Sequence, residues 1–435
     1  MTGRRYWLET YGCQMNKAES EALENDLINA GWLAAKDSQS SDLVILNTCS
    51  VRKTAEDRIW GRIGNLKKDK RNRHFLLAIM GCMSQRLGEE MIKQVPDIDI
   101  VVGTFNKDRF LDIVEQALAK RRGIVASDIK PYIFANGHTT GGFRAFVPIM
   151  HGCDNYCSYC IVPYVRGHEI SRNPEEIMAE VMHGMEHGVR EITLLGQNVN
   201  SYRFPVNGRE VLFEEILTLV AQAVKGHGWV RFMTSHPRDM SLTLVDTIAS
   251  HQSICRHIHL PVQHGSDQIL QAMNRHYTIN QYTKLVSYIK NTISDVTLTT
   301  DILIGFPGET EEDFNATCRL LEEIEFDDAY MYYYNPRQGT AAFNMMETLS
   351  ETEKKKRLAR IIELQHGIRK KRLAAKTGKI SIALVEEVSR RNKKELLART
   401  EHNDMILIEG QESMLGTFVE VRLESLRGTT FKGVL

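Results

Sequence analysis

The sequence predicts an α/β protein in three parts: an N-terminal doubly wound parallel sheet, a partial parallel β/α barrel of six units, and a small antiparallel β-barrel at the C-terminus. Three observations carry this. Short apolar runs alternate with amphipathic helical stretches over residues 1–120, as in strands joined by crossover helices. The rhythm stops between Arg121 and Gly142 and resumes at Arg144. From Leu373 it gives way to a run of short strand-like segments with few helical signals.

In the first part, residues 5–9, 42–46, 74–80 and 99–103 are the strands, and 16–31, 53–70, 84–94 and 107–120 the helices between them. In the second, strands are expected at 145–149, 191–195, 230–233, 257–260, 296–304 and 329–334, with helices at 174–188, 213–225, 280–293 and 311–324. Six such units are too few for a closed eight-unit barrel and suit a partial one. The tail offers strands at 380–388, 396–399, 405–407, 417–423 and 430–434, the pattern of an oligonucleotide-binding type of barrel. The expected domains are 4–120, 143–372 and 373–435, with 121–142 as a linker.

The chain has 435 residues, of which 25% are charged, and its 55 Lys+Arg balance its 55 Asp+Glu. That composition excludes a disordered chain and gives the whole molecule no general attraction for polyanions. No apolar run approaches the roughly 18–20 residues of a membrane span, and the first residues lack the apolar core of a secretion signal. A cytoplasmic protein without a membrane partner is expected, and in that reducing setting ordered cysteines signify metal or redox chemistry.

Cys153, Cys157 and Cys160 follow the first strand of the second part in His151-Gly-Cys-Asp-Asn-Tyr-Cys-Ser-Tyr-Cys160. One loop, bent at Gly152, can wrap three corners of a 4Fe-4S cube and leave the fourth iron to a non-protein ligand. A zinc site completed by His151 is the alternative. Cys13, Cys49 and Cys82 are far apart, but each lies just past the carboxyl end of a predicted parallel strand. Those ends share one edge of a doubly wound sheet, so the three converge. Unrelated core cysteines are the competing view; a second three-thiolate cluster is the simpler one. Cys255 and Cys318 have no partner pattern and are expected to be structural.

At Cys153, Cys157 and Cys160 the sequence resembles the radical S-adenosylmethionine (radical SAM) superfamily. From Tyr11 to Leu435 it resembles the methylthiotransferase family, in Arg166-Gly-His-Glu-Ile-Ser-Arg172, Leu195-Gly-Gln-Asn-Val-Asn-Ser-Tyr202, Thr234-Ser-His-Pro237, Leu260-Pro-Val-Gln-His-Gly-Ser266 and Thr300-Asp-Ile-Leu-Ile-Gly-Phe-Pro-Gly-Glu309. Tyr11-Gly-Cys-Gln-Met-Asn16 is similar to the MiaB-type branch, which acts on N(6)-isopentenyl-adenosine at position 37 of tRNA. Sister branches act on threonylcarbamoyl-adenosine or on a ribosomal-protein aspartate. The resemblance implies two 4Fe-4S clusters. It also implies S-adenosylmethionine as both methyl donor and source of a 5′-deoxyadenosyl radical. The cluster on Cys13, Cys49 and Cys82 would carry the sulfur. The implied partners are the anticodon stem-loop of tRNA, an electron donor such as flavodoxin or ferredoxin, and a sulfur donor or iron–sulfur carrier protein. His264, Asn335 and Ala398 depart from the Ser, Ser and Gly usual at those places, and none is a cluster cysteine.

Gln197 and Asn198 follow the second barrel strand, and His236, Gln263 and Asp301 follow or end later ones. Barrel sites occupy that face, so all five are expected to contact the cofactor, against a plain loop-capping role. Arg172 is expected to pair with the cofactor carboxylate through its two-pronged guanidinium, against a surface ion pair. The stretch from Lys354 through Arg357, Arg360, Arg369 and Arg372 to Lys379 is strongly basic and leads into the last barrel. Arg390, Arg391, Lys393 and Lys394 follow on one loop, an electrostatic footprint for nucleic acid, and Arg399 beside Ala398 is placed with them. The barrel resembles a TRAM domain, a type associated with tRNA binding. With only Phe418 and Phe431 as aromatics there, charge rather than base stacking is expected to dominate.

Overall fold

The computed structural model describes residues 3–50, 53–120, 123–134 and 142–435; residues 121–122 and 135–141 of the expected linker, and Val51 and Arg52, lie outside them. Strands β1 (Arg5–Thr10), β2 (Leu33–Ala34), β3 (Leu43–Thr48), β4 (Leu76–Gly81), β5 (Ile100–Val102) and β6 (Ile124–Ala126) form one parallel sheet in the order β2-β1-β3-β4-β5-β6. The crossovers are α1 (Gln14–Asn29), α2 (Lys53–Asp69), α3 (Cys82–Leu87), α4 (Glu89–Gln94) and α5 (Phe110–Lys120). β3 is apolar on both faces because both are covered. Leu43 and Ile45 pack with Leu27 of α1 and Phe110 of α5, and Val44 and Leu46 with Ile59 and Ile63 of α2. β2 and β6 were not expected: each is too short for alternation to register, and β6 occupies the start of the expected linker. The helix expected at 84–94 is two, split at Gly88.

The second domain contains β7 (Arg144–Pro148), a ribbon β8 (Met150–His151) with β9 (Ile170–Ser171), β10 (Glu191–Leu195), a hairpin β11 (Arg203–Val206) with β12 (Arg209–Leu212), and β13 (Trp229–Phe232), β14 (His257–His259), β15 (Thr297–Ile304) and β16 (Asp328–Tyr333). Two parallel sheets, β13-β10-β7 and β14-β15-β16, are joined by a parallel bridge between Val230 and Ile254. The result is one curved run of six strands. Its helices are α6 (Val162–Arg166), α7 (Pro174–Glu186), α8 (Phe213–Ala223), α9 (Leu242–Ser250), α10 (Asp267–Ala272), α11 (Ile279–Thr292), α12 (Glu311–Ile324) and α13 (Glu351–Ala374). Reciprocal capping by Thr278 with Gln281 and by Thr310 with Asp313 starts α11 and α12. Ile192, Leu194, Val230 and Phe232 pack outward under the helices, so strand alternation turns Glu191, Thr193 and Arg231 into the lumen. The hairpin was missed, although its Asn207-Gly208 turn is a recognisable signal.

β17 (Ile380–Val388), β18 (Glu395–Thr400), β19 (Met405–Glu409), β20 (Phe418–Arg427) and β21 (Thr430–Val434) close a barrel in the order β17-β18-β19-β21-β20. This barrel sits on the N-terminal ends of the six-strand run. Glu386 pairs with Arg144 at the start of β7, Arg399 with Glu191 at the start of β10, and Phe418 packs on Trp229 at the start of β13. Cys255 is buried in that contact beside Leu384.

The basic run on α13 is not an open cationic face. Lys354 pairs with Glu347, Arg357 with Glu309 and Glu353, Arg360 with Glu311, Arg369 with Asp328 and Arg372 with Asp327. The pairs to Glu309, Glu311, Asp327 and Asp328 strap the helix to the barrel. Among the described residues no helix is long and apolar enough to cross a membrane.

Candidate cluster and cofactor site

The ladder of the first sheet places Thr10 opposite Asn47 and Thr48 opposite Gly81. Cys13, Cys49 and Cys82 therefore leave the sheet side by side, at the carboxyl edge flanking the β1/β3 switch point. Asn16 ties the loops together: its Nδ2 donates to Asn47 Oδ1 at 3.0 Å and to the Thr48 carbonyl at 3.1 Å, while Cys13 Sγ donates to its Oδ1 at 3.1 Å. Gly12 has φ +136°, and a Cβ there would lie 2.7 Å from Cys49 Cβ; no other residue lets the two segments approach so closely. None of the three forms a disulfide among the described residues.

The second triplet sits on the loop between β8 and β9, whose two-residue ribbon closes its stem. At Gly152 a Cβ would meet the His168 carbonyl oxygen at 1.9 Å, so the loop folds back on itself only with glycine. Asn274, two residues past the end of α10, holds the loop, donating to the Asn155 and Tyr156 carbonyls at 3.3 and 2.9 Å. Asn155 donates to Cys153 Sγ at 3.5 Å, and the buried Arg275 to Cys157 Sγ at 3.4 Å and the Pro261 carbonyl at 2.8 Å. Burial pushes Cys153 up to about 11; burial and then the neighbouring Cys157 push Cys160 up to about 12. These thiols stay protonated until a metal displaces the proton.

The segments carrying the two triplets touch: Cys82 packs against Ile161 and Val165, one and five residues past Cys160. Met15 and Ala18 of α1 pack on Leu195, with Phe146 and Met233 alongside, so the helix that begins at Cys13 lies against the barrel's inner surface. Thr104 Oγ1 donates to the Val165 carbonyl at 2.5 Å, and Arg337 reaches the Ser50 carbonyl and, at 3.2 Å, Glu56.

Of the residues expected at the barrel mouth, Asn198 and His236 are joined: the His236 N–H donates to Asn198 Oδ1 at 3.1 Å, and Asn198 Nδ2 to Asp239 at 2.6 Å. Asn198 is thus a scaffold residue. His236 Nε2, Gln197 Oε1, Ser235 Oγ and Asn155 Oδ1 are buried without a hydrogen-bond partner. Four such atoms around one mouth suit a polar ligand, because an unmet buried polar group costs about 1–3 kcal/mol. Burial, with Arg275 next, drives His236 down to about 2, so its ring is neutral. Gln263 adopts φ +72° and exchanges backbone hydrogen bonds with Asp301 and Leu303. Asp301 faces His259 at 3.7 Å in the lumen.

Arg172 is not brought to this group. Its guanidinium is buried against Glu180 and Glu176 of α7 and the Pro148 carbonyl. Arg399 is likewise removed from the basic loop, bound between Glu386 and Glu191 at 2.6 Å each. Arg390, Arg391, Lys393 and Lys394 are all exposed. Phe431 is core and Phe418 covers Trp229, which leaves neither for base stacking. His264 is fully buried and bonded to Glu309 at 3.1 Å, inside the packing. Sequence reasoning missed Arg275, Asn155 and Ser235. Asn155 and Ser235 sit inside quoted stretches, whereas nothing local marks Arg275.

Residues 5–103 match a family described as uncharacterized protein family UPF0004, residues 147–321 the radical SAM superfamily, and residues 374–435 the TRAM domain. The chain is 47% identical to the tRNA-2-methylthio-N(6)-dimethylallyladenosine synthase of Treponema denticola, with 99% of each chain covered. It is 40% identical to the protein of that name from Dictyoglomus thermophilum, covering 99% and 98%, and 41% identical to that from Geobacter sulfurreducens, covering 97% and 96%. Among solved structures it resembles the radical SAM methyltransferase TsrM from Kitasatospora setae with cobalamin and a [4Fe-4S] cluster bound. The TM-score is 0.58 at 12% identity, over 79% of this chain and 74% of that one. OxsB, a cobalamin-dependent SAM radical enzyme, gives 0.52 at 11% identity, over 84% and 57%. At such identities the likeness concerns the fold alone.

Proposed function

The chain belongs to the family of tRNA-2-methylthio-N(6)-dimethylallyladenosine synthases within the radical SAM enzymes, and from that premise we propose that it converts N(6)-isopentenyl-adenosine at position 37 of tRNA to the 2-methylthio derivative. The observation that carries the reading is the packing of Cys82, from the first triplet, on the segment that follows Cys160 of the second. Cys153, Cys157 and Cys160 would hold one 4Fe-4S cube and Cys13, Cys49 and Cys82 a second, each with one iron left without a protein ligand. When bound, the first supplies the electron that cleaves S-adenosylmethionine and the second the sulfur that is transferred.

The protein's own residues bind, orient and exclude water. Arg275 sets a buried positive charge beside Cys157 and ties the loop to the end of β14. Gln197, Ser235 and His236 offer the unmet polar atoms that S-adenosylmethionine would satisfy. Asn198, held by Asp239, fixes the backbone of His236. Asp301 and His259 line the lumen where the adenine would enter. Met15 and Ala18 of α1 cover the inner surface and keep solvent from it.

Arg390, Arg391, Lys393 and Lys394 would contact tRNA phosphates. The TRAM barrel rests on the opposite end of the strands from the cysteines. Strands of about five residues at ~3.3 Å each put it roughly 17 Å or more away, so it would grip tRNA remote from the reacting base. A one-electron donor such as flavodoxin or ferredoxin and a sulfur or iron–sulfur carrier would complete the cycle.

The test is nucleoside mass spectrometry of isopentenylated anticodon stem-loop RNA after incubation with anaerobically purified enzyme, S-adenosylmethionine, a sulfide source and a chemical reductant. A 2-methylthio product of the isopentenylated nucleoside is expected. Product only from RNA carrying threonylcarbamoyl-adenosine, or on a ribosomal protein, would reject the assigned substrate.

A further inference from the structure

Between the two cysteine triplets lies a buried charged trio that the reaction as described does not use. Glu19 of α1 is 7% exposed and Arg166 at the end of α6 is 2% exposed. Arg166 Nη1 donates to Glu19 Oε1 at 2.8 Å, and Lys107 Nζ meets the same oxygen. One carboxylate against two cations leaves a net charge of one positive, with Glu19 and Arg166 buried and Lys107 half-buried. The trio is placed by the cluster segments themselves. Arg166 directly follows Val165, which packs on Cys82, and it approaches His151 Nδ1 at 3.4 Å, two residues before Cys153. His151 is held in turn by Tyr132, stacked on it at 3.6 Å. Arg166 also lies within electrostatic range of Cys13 as well as Cys82. The structural alternative is a simple strut between α1 and the second domain, which would need only one cation for its one carboxylate.

We propose that Arg166 and Lys107, partly offset by Glu19, form a built-in countercharge that raises the reduction potential of a cluster held by Cys13, Cys49 and Cys82. Reduction adds one negative charge to a site of three thiolates. A buried positive charge beside Cys82 stabilises that reduced state more than the oxidised one, and the low local dielectric keeps the effect from being screened. The proposal rests on the reading that this triplet binds a cluster.

The test is an EPR-monitored redox titration of full-length protein in which Cys153, Cys157 and Cys160 are all Ala, so that only the second site contributes. Lys107→Met should favour the oxidised cluster by at least tenfold, about 59 mV to lower potential for one electron. Glu19→Gln, which removes the offsetting negative charge, should move the potential the opposite way. Lys107→Arg should restore the parent value. A strut would move Lys107→Met and Glu19→Gln in the same direction or not at all, and either result overturns the proposal. Iron and sulfide counted on the same samples separate the two levels. About four irons with unmoved potentials rejects the countercharge alone. No iron rejects the cluster reading and the countercharge with it.

Discussion

Arg399 shows how much a residue's surroundings outweigh its chemical type. Its guanidinium joins Glu386 and Glu191, and Glu191 also binds Arg231 at 2.7 Å. The network sits between the TRAM barrel and the floor of the β/α barrel, with Arg231 donating to the carbonyls of Thr400 and Glu401. Arg399→Met leaves two buried carboxylates short of a partner and should cost about 3–5 kcal/mol, read by denaturant unfolding. A loss below 1 kcal/mol would show the pair to be solvated. Burial alone would raise the Glu191 carboxyl, but Arg231 and Arg399 together more than reverse that, so it titrates below its ordinary 4.5. A folded-state pKa below the unfolded one contributes stability above pH 4.5 that is lost as pH falls through the folded value. Denaturant stability followed from pH 6 downward should therefore fall less steeply in Glu191→Gln than in the parent; equal slopes would deny Glu191 that role.

At the scale of elements, the cysteine loop depends on its bend. A side chain at Gly152 collides with backbone at His168 that cannot swing aside as a side chain would. Gly152→Ala should abolish iron binding at Cys153, Cys157 and Cys160 while the Cys13 triplet keeps its own, so the iron content should halve; a full complement would refute the packing described. The TRAM loop obeys different physics. With Arg390, Arg391, Lys393 and Lys394 all changed to Ala, the slope of log affinity for tRNA against log salt should drop by about 3, from up to four lost phosphate contacts at roughly 0.7–0.9 each. An unchanged slope would place the RNA elsewhere. Elements long enough to show a period were legible in the sequence: β17, β21 and α12 span the residues expected of them. The edge strands β2 and β6 were not, because two or three residues cannot display a period. The ion pairing of the basic run on α13 was not legible, because composition cannot reveal that Glu309, Glu311, Asp327 and Asp328 wait across the packing.

For the whole molecule, the placement of the six cysteines of the two triplets past strand ends was readable. One has a local spacing, and the other recurs at the same place in three consecutive strand–helix units. What the sequence left hidden depends on residues remote in the chain that folding brings together. Arg275 reaches Cys157 across 118 residues, and Arg166 reaches Glu19 across 147; no window of sequence contains either pair. The pairing of Arg172 with Glu180 was hidden for the same reason, since it is set by how α7 packs against β7. The resulting architecture puts the six cysteines between the first sheet and the barrel mouth and the TRAM barrel at the far end of the strands. Its central claim, that each triplet holds its own cluster, is tested most directly by counting iron and acid-labile sulfide per chain after anaerobic reconstitution. The parent protein is compared with two variants, one lacking Cys13, Cys49 and Cys82 and the other lacking Cys153, Cys157 and Cys160. About eight irons in the parent and about four in each variant are expected. About four in the parent, or an undiminished count once Cys13, Cys49 and Cys82 are gone, would contradict it.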